Sequence, residues 1–124
     1  MGEMKKSLDT YALVEIYKSN PKFSNYLSSD FIINDLTLSE FYLFLLREKD
    51  EKTADFWLKK LEVYSISVNR DILIEAIKFK YKNRNIKISF FDAVSYIFSI
   101  KNDYLFVTGD KEFENLPHVE FIKK

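Results

Sequence analysis

Apolar residues in this chain fall alternately into short continuous runs and helically spaced stripes. A run through Leu8 is followed by Leu13, Val14 and Ile16 at helical spacing, which predicts a short strand and then a helix from about Thr10. Phe31–Asn34 (FIIN) suits a short buried strand. Leu38, Phe41, Tyr42, Leu45 and Leu46 then stand at i, i+3, i+4, i+7 and i+8, the spacing of an amphipathic helix. A helix is expected over Ala54–Leu61, a strand over Tyr64–Val68 and a helix from about Arg70 to Tyr81. Phe90, Ala93, Val94, Ile97 and Ile100 predict another helix between Ser89 and Ile100. Tyr104–Val107 (YLFV) is the clearest strand, and Val119–Ile122 reads as a last edge strand. Strands alternating with helices predict an α/β fold: a central, mainly parallel sheet with helices on both faces, a three-layer α/β/α sandwich.

Length and composition agree with that picture. At 124 residues with only 2 Gly, 2 Pro and no linker, the chain is expected to form one domain, 1–124. The 12 Phe and 8 Tyr exceed what a core of this size needs, which points to an apolar partner surface. Trp57, on an amphipathic stretch, reads as a core or dimer contact. The absence of cysteine excludes disulfides, thiolate metal sites and cysteine nucleophiles. The single histidine, His118 in LPHVEF, excludes a His-rich zinc site and reads as a loop residue. Lys plus Arg and Asp plus Glu balance at 19 each, so net charge gives no sign of tight, non-specific duplex binding. It leaves room for an enzyme that grips phosphate through a bound metal. No apolar run reaches the roughly 18 residues of a membrane span, and no signal peptide is visible, so a cytoplasmic protein is expected. Met1–Glu3, ahead of Met4, is compatible with a vector-derived remnant.

Four acids stand where apolar strand-like runs turn into helices: Asp9 in SLDT, Glu40 in TLSE, Asp92 in SFFDA and Asp110 in VTGD. Each has a local explanation. Thr37-x-x-Glu40 and Ser89-x-x-Asp92 match the capping box, and Asp9 and Asp110 can cap the helices that follow them. Together they suggest more. Asp9 and Asp110 follow strands directly, and Glu40 and Asp92 are expected in first helical turns. All four then lie along the carboxyl edge of a parallel sheet, where ligands bind in this architecture. Carboxylates gathered there repel one another unless a cation sits among them, and an all-oxygen set suits Mg²⁺ or Mn²⁺.

The ordered set SLDTYALVEI, TLSEFYLFL, ISFFDAVSYIFS and FVTGDKEF resembles a PIN domain, most closely a VapC-type toxin ribonuclease. The resemblance covers essentially the whole length. It implies a PIN-like fold and metal-dependent hydrolysis of RNA, with Asp9, Glu40, Asp92 and Asp110 as the catalytic, metal-binding acids and Mg²⁺ or Mn²⁺ as cofactor. Thr10 and Thr108 match supporting hydroxyl positions, and Glu112 is a candidate outer acid. Tyr11 departs from the pattern, because many relatives carry a small polar residue there. The partner implied is a VapB-type antitoxin, and a homodimer is expected.

Two surface features have both a functional and an ordinary reading. Lys78–Lys87 (KFKYKNRNIK) holds five basic residues and no acid, so Lys80, Lys82 and Arg84 form either an RNA-phosphate patch or a solvated helix end. Leu43 and Phe44 fall outside the main apolar stripe of their helix, with Arg47 nearby. They form either a groove for a partner segment or ordinary burial. A receiver-type phosphorelay domain is disfavoured, because Asp55 has a helical context and only one early acid is present. An RNA-processing nuclease of the same fold without an antitoxin, and a non-catalytic PIN-fold binding module, remain as alternatives.

Overall fold

Each α-helix among the described residues starts on a side chain that caps it. In the computed structural model, which describes residues 4–123, Asp9, Asn34, Asp50, Asn69 and Ser89 each accept a hydrogen bond from the backbone N–H three residues on. They open α1 (Thr10–Tyr17), α2 (Asp35–Glu48), α3 (Glu51–Leu61), α4 (Arg70–Lys82) and α5 (Phe90–Lys101). Such caps satisfy donors that a helix cannot satisfy internally. Met1–Glu3, read above as a remnant, lie outside the described residues.

The strands are β1 (Lys6–Leu8), β2 (Phe31–Asn34), β3 (Ser65–Ile66), β4 (Leu105–Thr108) and β5 (Val119–Phe121). They form one sheet in the order β3-β2-β1-β4-β5, and each neighbouring pair is parallel. Successive strand residues face opposite ways. Leu8, Phe31, Ile33 and Val107 therefore join a core with α1, α2 and α3. Ile32 and Phe106 join a second core with α4 and α5. The expected α/β sandwich with its central parallel sheet is the fold observed, and β5 is the edge strand that the sequence suggested.

Two expectations need correction. β3 is only Ser65–Ile66, because Tyr64 belongs to a 3₁₀ turn and stacks on Phe31 with ring centroids 4.4 Å apart. α2 starts directly after β2 on Asn34, so Thr37 is inside the helix and no Thr37–Glu40 capping box forms. Glu40 consequently sits in the second turn of α2, not the first.

Thr37 has a different partner. Its hydroxyl meets Ser95 Oγ at 2.9 Å, and Asn34 Nδ2 donates to the same Ser95 oxygen at 3.1 Å. All three side chains are buried. This polar clamp fixes α2 against α5, one turn from Glu40 on one helix and one turn from Asp92 on the other. A buried hydrogen bond stripped of one partner leaves the other unsatisfied. Ser95→Ala should therefore cost about 1–3 kcal/mol in chemical denaturation. Ser99→Ala, whose hydroxyl bonds only the Ser95 carbonyl within α5, should cost less.

A carboxylate cavity at the carboxyl edge of the sheet

β1 and β4 are neighbours, so the residues leaving their carboxyl ends come together. Asp9 N–H donates to Val107 O at 3.2 Å, carrying the β1–β4 pairing one residue past the strand. Asp9 is 1% exposed. One carboxylate oxygen accepts from Ala12 N at 2.8 Å as the α1 cap, and the other from Thr108 Oγ1 at 2.5 Å. Thr108 Oγ1 in turn accepts from Asp110 N–H at 3.0 Å. Asp110 caps the 3₁₀ turn 111–113 through Glu112 N–H. Thr10 Oγ1 donates to Glu40 Oε1 at 2.5 Å, tying α1 to α2. Asp92 lies in the first turn of α5, its N–H bonded to Ser89 Oγ at 3.1 Å.

Asp9, Glu40, Asp92 and Asp110 all line one cavity of about 620 Å³. The sequence reading brought these four together, and the fold does the same. It did not anticipate two charged residues of the lining, Glu15 and Lys18; Tyr11, noted in the sequence only as a departure from the pattern, lines the cavity as well. Glu15 and Lys18 follow Tyr11 by four and seven residues on α1, a spacing that puts them on one helical face. That spacing was the available signal. Lys111 also lines the cavity, whereas the side chain of Glu112 does not. Lys80, Lys82 and Arg84 are likewise outside the lining. The Arg84 guanidinium lies over the Tyr81 ring at 4.5 Å and donates to Tyr81 O.

Gly109 permits a close approach. A Cβ at this position would overlap the Tyr11 ring and stand 2.8 Å from Ile122 O. The aromatic side chain that replaces the expected small residue at position 11 thus occupies the space a side chain at 109 would fill.

Burial pushes the Asp9 carboxyl up to about 8, against the opposing pull of the Thr108 and Ala12 hydrogen bonds, and Asp92 and Asp110 raise it further by repulsion. Burial likewise pushes Asp92 up to about 7, with the Asp110 charge as the next cause. Burial first, and repulsion between neighbouring aspartates second, favour the protonated form of both acids. Among the described residues, no three Asp, Glu or His side chains stand in a metal-ligating group. The carboxylates share a cavity without being gathered about a point.

Beside this cavity is a second of about 490 Å³, lined by Leu43, Arg47 and Phe91 and sharing Thr10, Val14, Glu40 and Phe44 with the first. Leu43 is 44% exposed, whereas Phe44 packs against Tyr17 and Phe41, so the α2 surface singled out in the sequence is partly open and partly buried within the chain. Trp57 packs edge-on against Tyr17 and Phe41 at the margin of the core.

A five-stranded parallel α/β sheet with carboxylates along its carboxyl edge defines an architecture; the family follows from the sequence. Residues 7–119 match the PIN domain, and the chain belongs to that family. The fold is similar to a toxin–antitoxin complex from Klebsiella pneumoniae, with 16% identity, 93% of this chain and 95% of that chain covered, and a TM-score of 0.75. It is similar to VapBC2 from Rickettsia felis, solved with a DNA fragment from its promoter, with 19% identity, 96% and 99% covered, and a TM-score of 0.74. It also resembles VapC20 of Mycobacterium tuberculosis, described as a Sarcin-Ricin loop cleaving toxin, with 16% identity, 80% and 84% covered, and a TM-score of 0.71. Among curated proteins no sequence matches significantly. Among the described residues no helix is long and apolar enough to cross a membrane.

An acid whose pKa is raised on folding binds a proton in the native state that the unfolded chain has already released. Its contribution to stability is complete below the unfolded pKa and is lost as pH rises through the folded one. For Asp9 that window runs from 3.8 to about 8, and for Asp92 from 3.8 to about 7. The metal-free protein should therefore melt at progressively lower temperature across this range. Asp9→Asn should flatten much of the slope and raise the melting temperature at pH 8.

Proposed function

We propose that this PIN domain is a divalent-metal-dependent endoribonuclease, the toxin of a toxin–antitoxin pair, acting as one domain in the cytoplasm. The observation that carries the reading is the convergence of Asp9, Glu40, Asp92 and Asp110 on one cavity of a PIN fold. The donor set is oxygen only, and burial beside other acids raises the pKa of two of its members. An all-oxygen set suits Mg²⁺ or Mn²⁺.

Asp9, Asp92 and Asp110 are the residues to hold the ion or ions, and Glu40 either joins them or orients the attacking water. Such a cation, when bound, lowers the pKa of a water molecule and neutralises charge on the scissile phosphate. The chain supplies the positioning. Ala12 N–H and Thr108 Oγ1 fix the two oxygens of Asp9, Thr10 fixes Glu40, and the Asn34–Thr37–Ser95 clamp sets the helices bearing Glu40 and Asp92. RNA as the substrate is supported by the likeness to a toxin that cleaves the Sarcin-Ricin loop.

The apolar groove beside Glu40 favours a toxin over an RNA-processing nuclease of the same fold. A VapB-type antitoxin suits it: an amphipathic segment on Leu43, Phe44 and Phe91, with a cation reaching toward the acids. Homodimerisation is supported by Ile74, Ile77 and Tyr81, exposed on one face of α4.

Incubated with total RNA, the protein should cut at defined positions with Mg²⁺ or Mn²⁺ and not with EDTA, and Asp92→Ala should abolish every such cut. Cleavage by Asp92→Ala equal to wild type would reject the assignment. Leu43→Asp, in the groove but outside the carboxylate cavity, should weaken capture of a co-expressed antitoxin while leaving cleavage intact. Light scattering on the same samples should report a dimer for wild type and a monomer for Ile77→Glu.

A further inference from the structure

On the β5 side the carboxylate cavity continues into an annex of about 340 Å³. The annex shares Tyr11, Gly109 and Lys111 with the main cavity and adds Phe121, Lys123 and Glu114. Its character is unlike that of the groove on the opposite side. That groove is aliphatic and aromatic with one arginine, whereas the annex joins two aromatic rings to two exposed lysines.

Resting on the nuclease reading above, we propose that the annex is a nucleotide subsite: it holds the unpaired nucleotide next to the scissile phosphate, and Tyr11 is its specificity-determining residue. A single strand whose phosphate enters the carboxylate cavity must leave along one of its sides. Unpaired nucleic acid is held by aromatic rings that contact bases and by cations that follow the backbone. Tyr11 stands at the boundary of the two cavities, so a base beside the reacting phosphate meets its ring. Lys111 lies in the lining of both, within reach of the phosphate on either side of that base.

The annex is built, not merely open. Position 109 has no side chain, and the Tyr11 ring takes that space. Phe23 supports the ring from the core side, with centroids 6.1 Å apart and planes tilted by 49°. Lys22 Nζ donates to the Lys123 carbonyl at 3.0 Å, anchoring the segment after β5 and bringing a further cation to that end.

The test uses the full chain carrying Asp92→Asn, so that bound RNA survives, and a short mixed-sequence single-stranded RNA followed by fluorescence anisotropy. Lys111→Gln with Lys123→Gln should weaken binding and reduce the slope of log affinity against log salt by about 1.4, at ~0.7 per phosphate contact on a single strand. Lys80→Gln with Lys82→Gln should leave the slope unchanged. Tyr11→Ser should weaken binding by roughly 10-fold, the scale of one lost base–aromatic stack, and Tyr11→Phe should retain most of it. With Asp92 restored, Tyr11→Ser should alter the nucleotide preferred beside the cut while cleavage remains metal-dependent. The lysine pairs are exposed and serve as the arm insensitive to folding. If wild type cuts RNA but the Lys111 and Lys123 changes leave affinity and slope unaltered, the subsite is refuted and the nuclease reading stands. A wild type that neither binds nor cuts RNA with any divalent cation rejects both.

Discussion

Burying the Asp9 carboxylate within the field of other acids is the constraint on which this structure turns. Asp9 is nearly inaccessible, and two further aspartates press on it electrostatically. It is tolerable only because every atom able to accept a bond finds one. Its oxygens take the Ala12 amide in the first turn of α1 and the hydroxyl at the end of β4, and its own amide continues the sheet. Asp9 thus ends a strand, starts a helix and ties two strands together at once. The same residue that cements the architecture is the most strained in its charge state. Capping and the proposed metal binding are therefore not competing explanations of this side chain, because the cap holds the carboxylate at the cavity.

The remainder of the cavity is assembled by polar contacts between helices. Thr10 reaches from α1 to Glu40, and Ser95 reaches from α5 to Asn34 and Thr37. Helices that met only through apolar packing could slide by a fraction of a turn at little cost. Directional bonds in a low-dielectric interior remove that freedom. The Asn34–Thr37–Ser95 clamp and Thr108 are buried, so this part of the cavity rests on the core beneath it.

Much of this was legible in the sequence where periodicity is strong. Helices α2 and α5 follow from their apolar stripes, and β4 from an unbroken apolar run. Boundaries were legible only where a cap was recognised. Asn34 is as good a helix cap as Thr37, and choosing the wrong one displaced Glu40 by a turn. β3 was overestimated because Tyr64 and Val68, apolar in sequence, serve contacts outside the sheet. Three of the four acids were found because they follow a strand or open a helix; Glu40 was found on the same expectation although it sits a turn further into α2. Glu15 was missed because nothing next to it in sequence marks it; only the helical face it shares with Tyr11 does. The annex was beyond reach altogether, since it joins residues from α1, the turn after β4 and the chain after β5.

The contact between Tyr11 and Gly109 has a consequence for how this chain can change. A tyrosine at position 11 makes any side chain at 109 a collision, and the Ile122 carbonyl closes the remaining space. The two positions are bound by epistasis: bulk at one is conditional on its absence at the other. In a lineage moving between a small residue and an aromatic one at position 11, the glycine must already be in place before the ring arrives. It can be given up only after the ring has gone. The order of substitutions is therefore restricted across nearly a hundred residues of sequence, by two groups that touch.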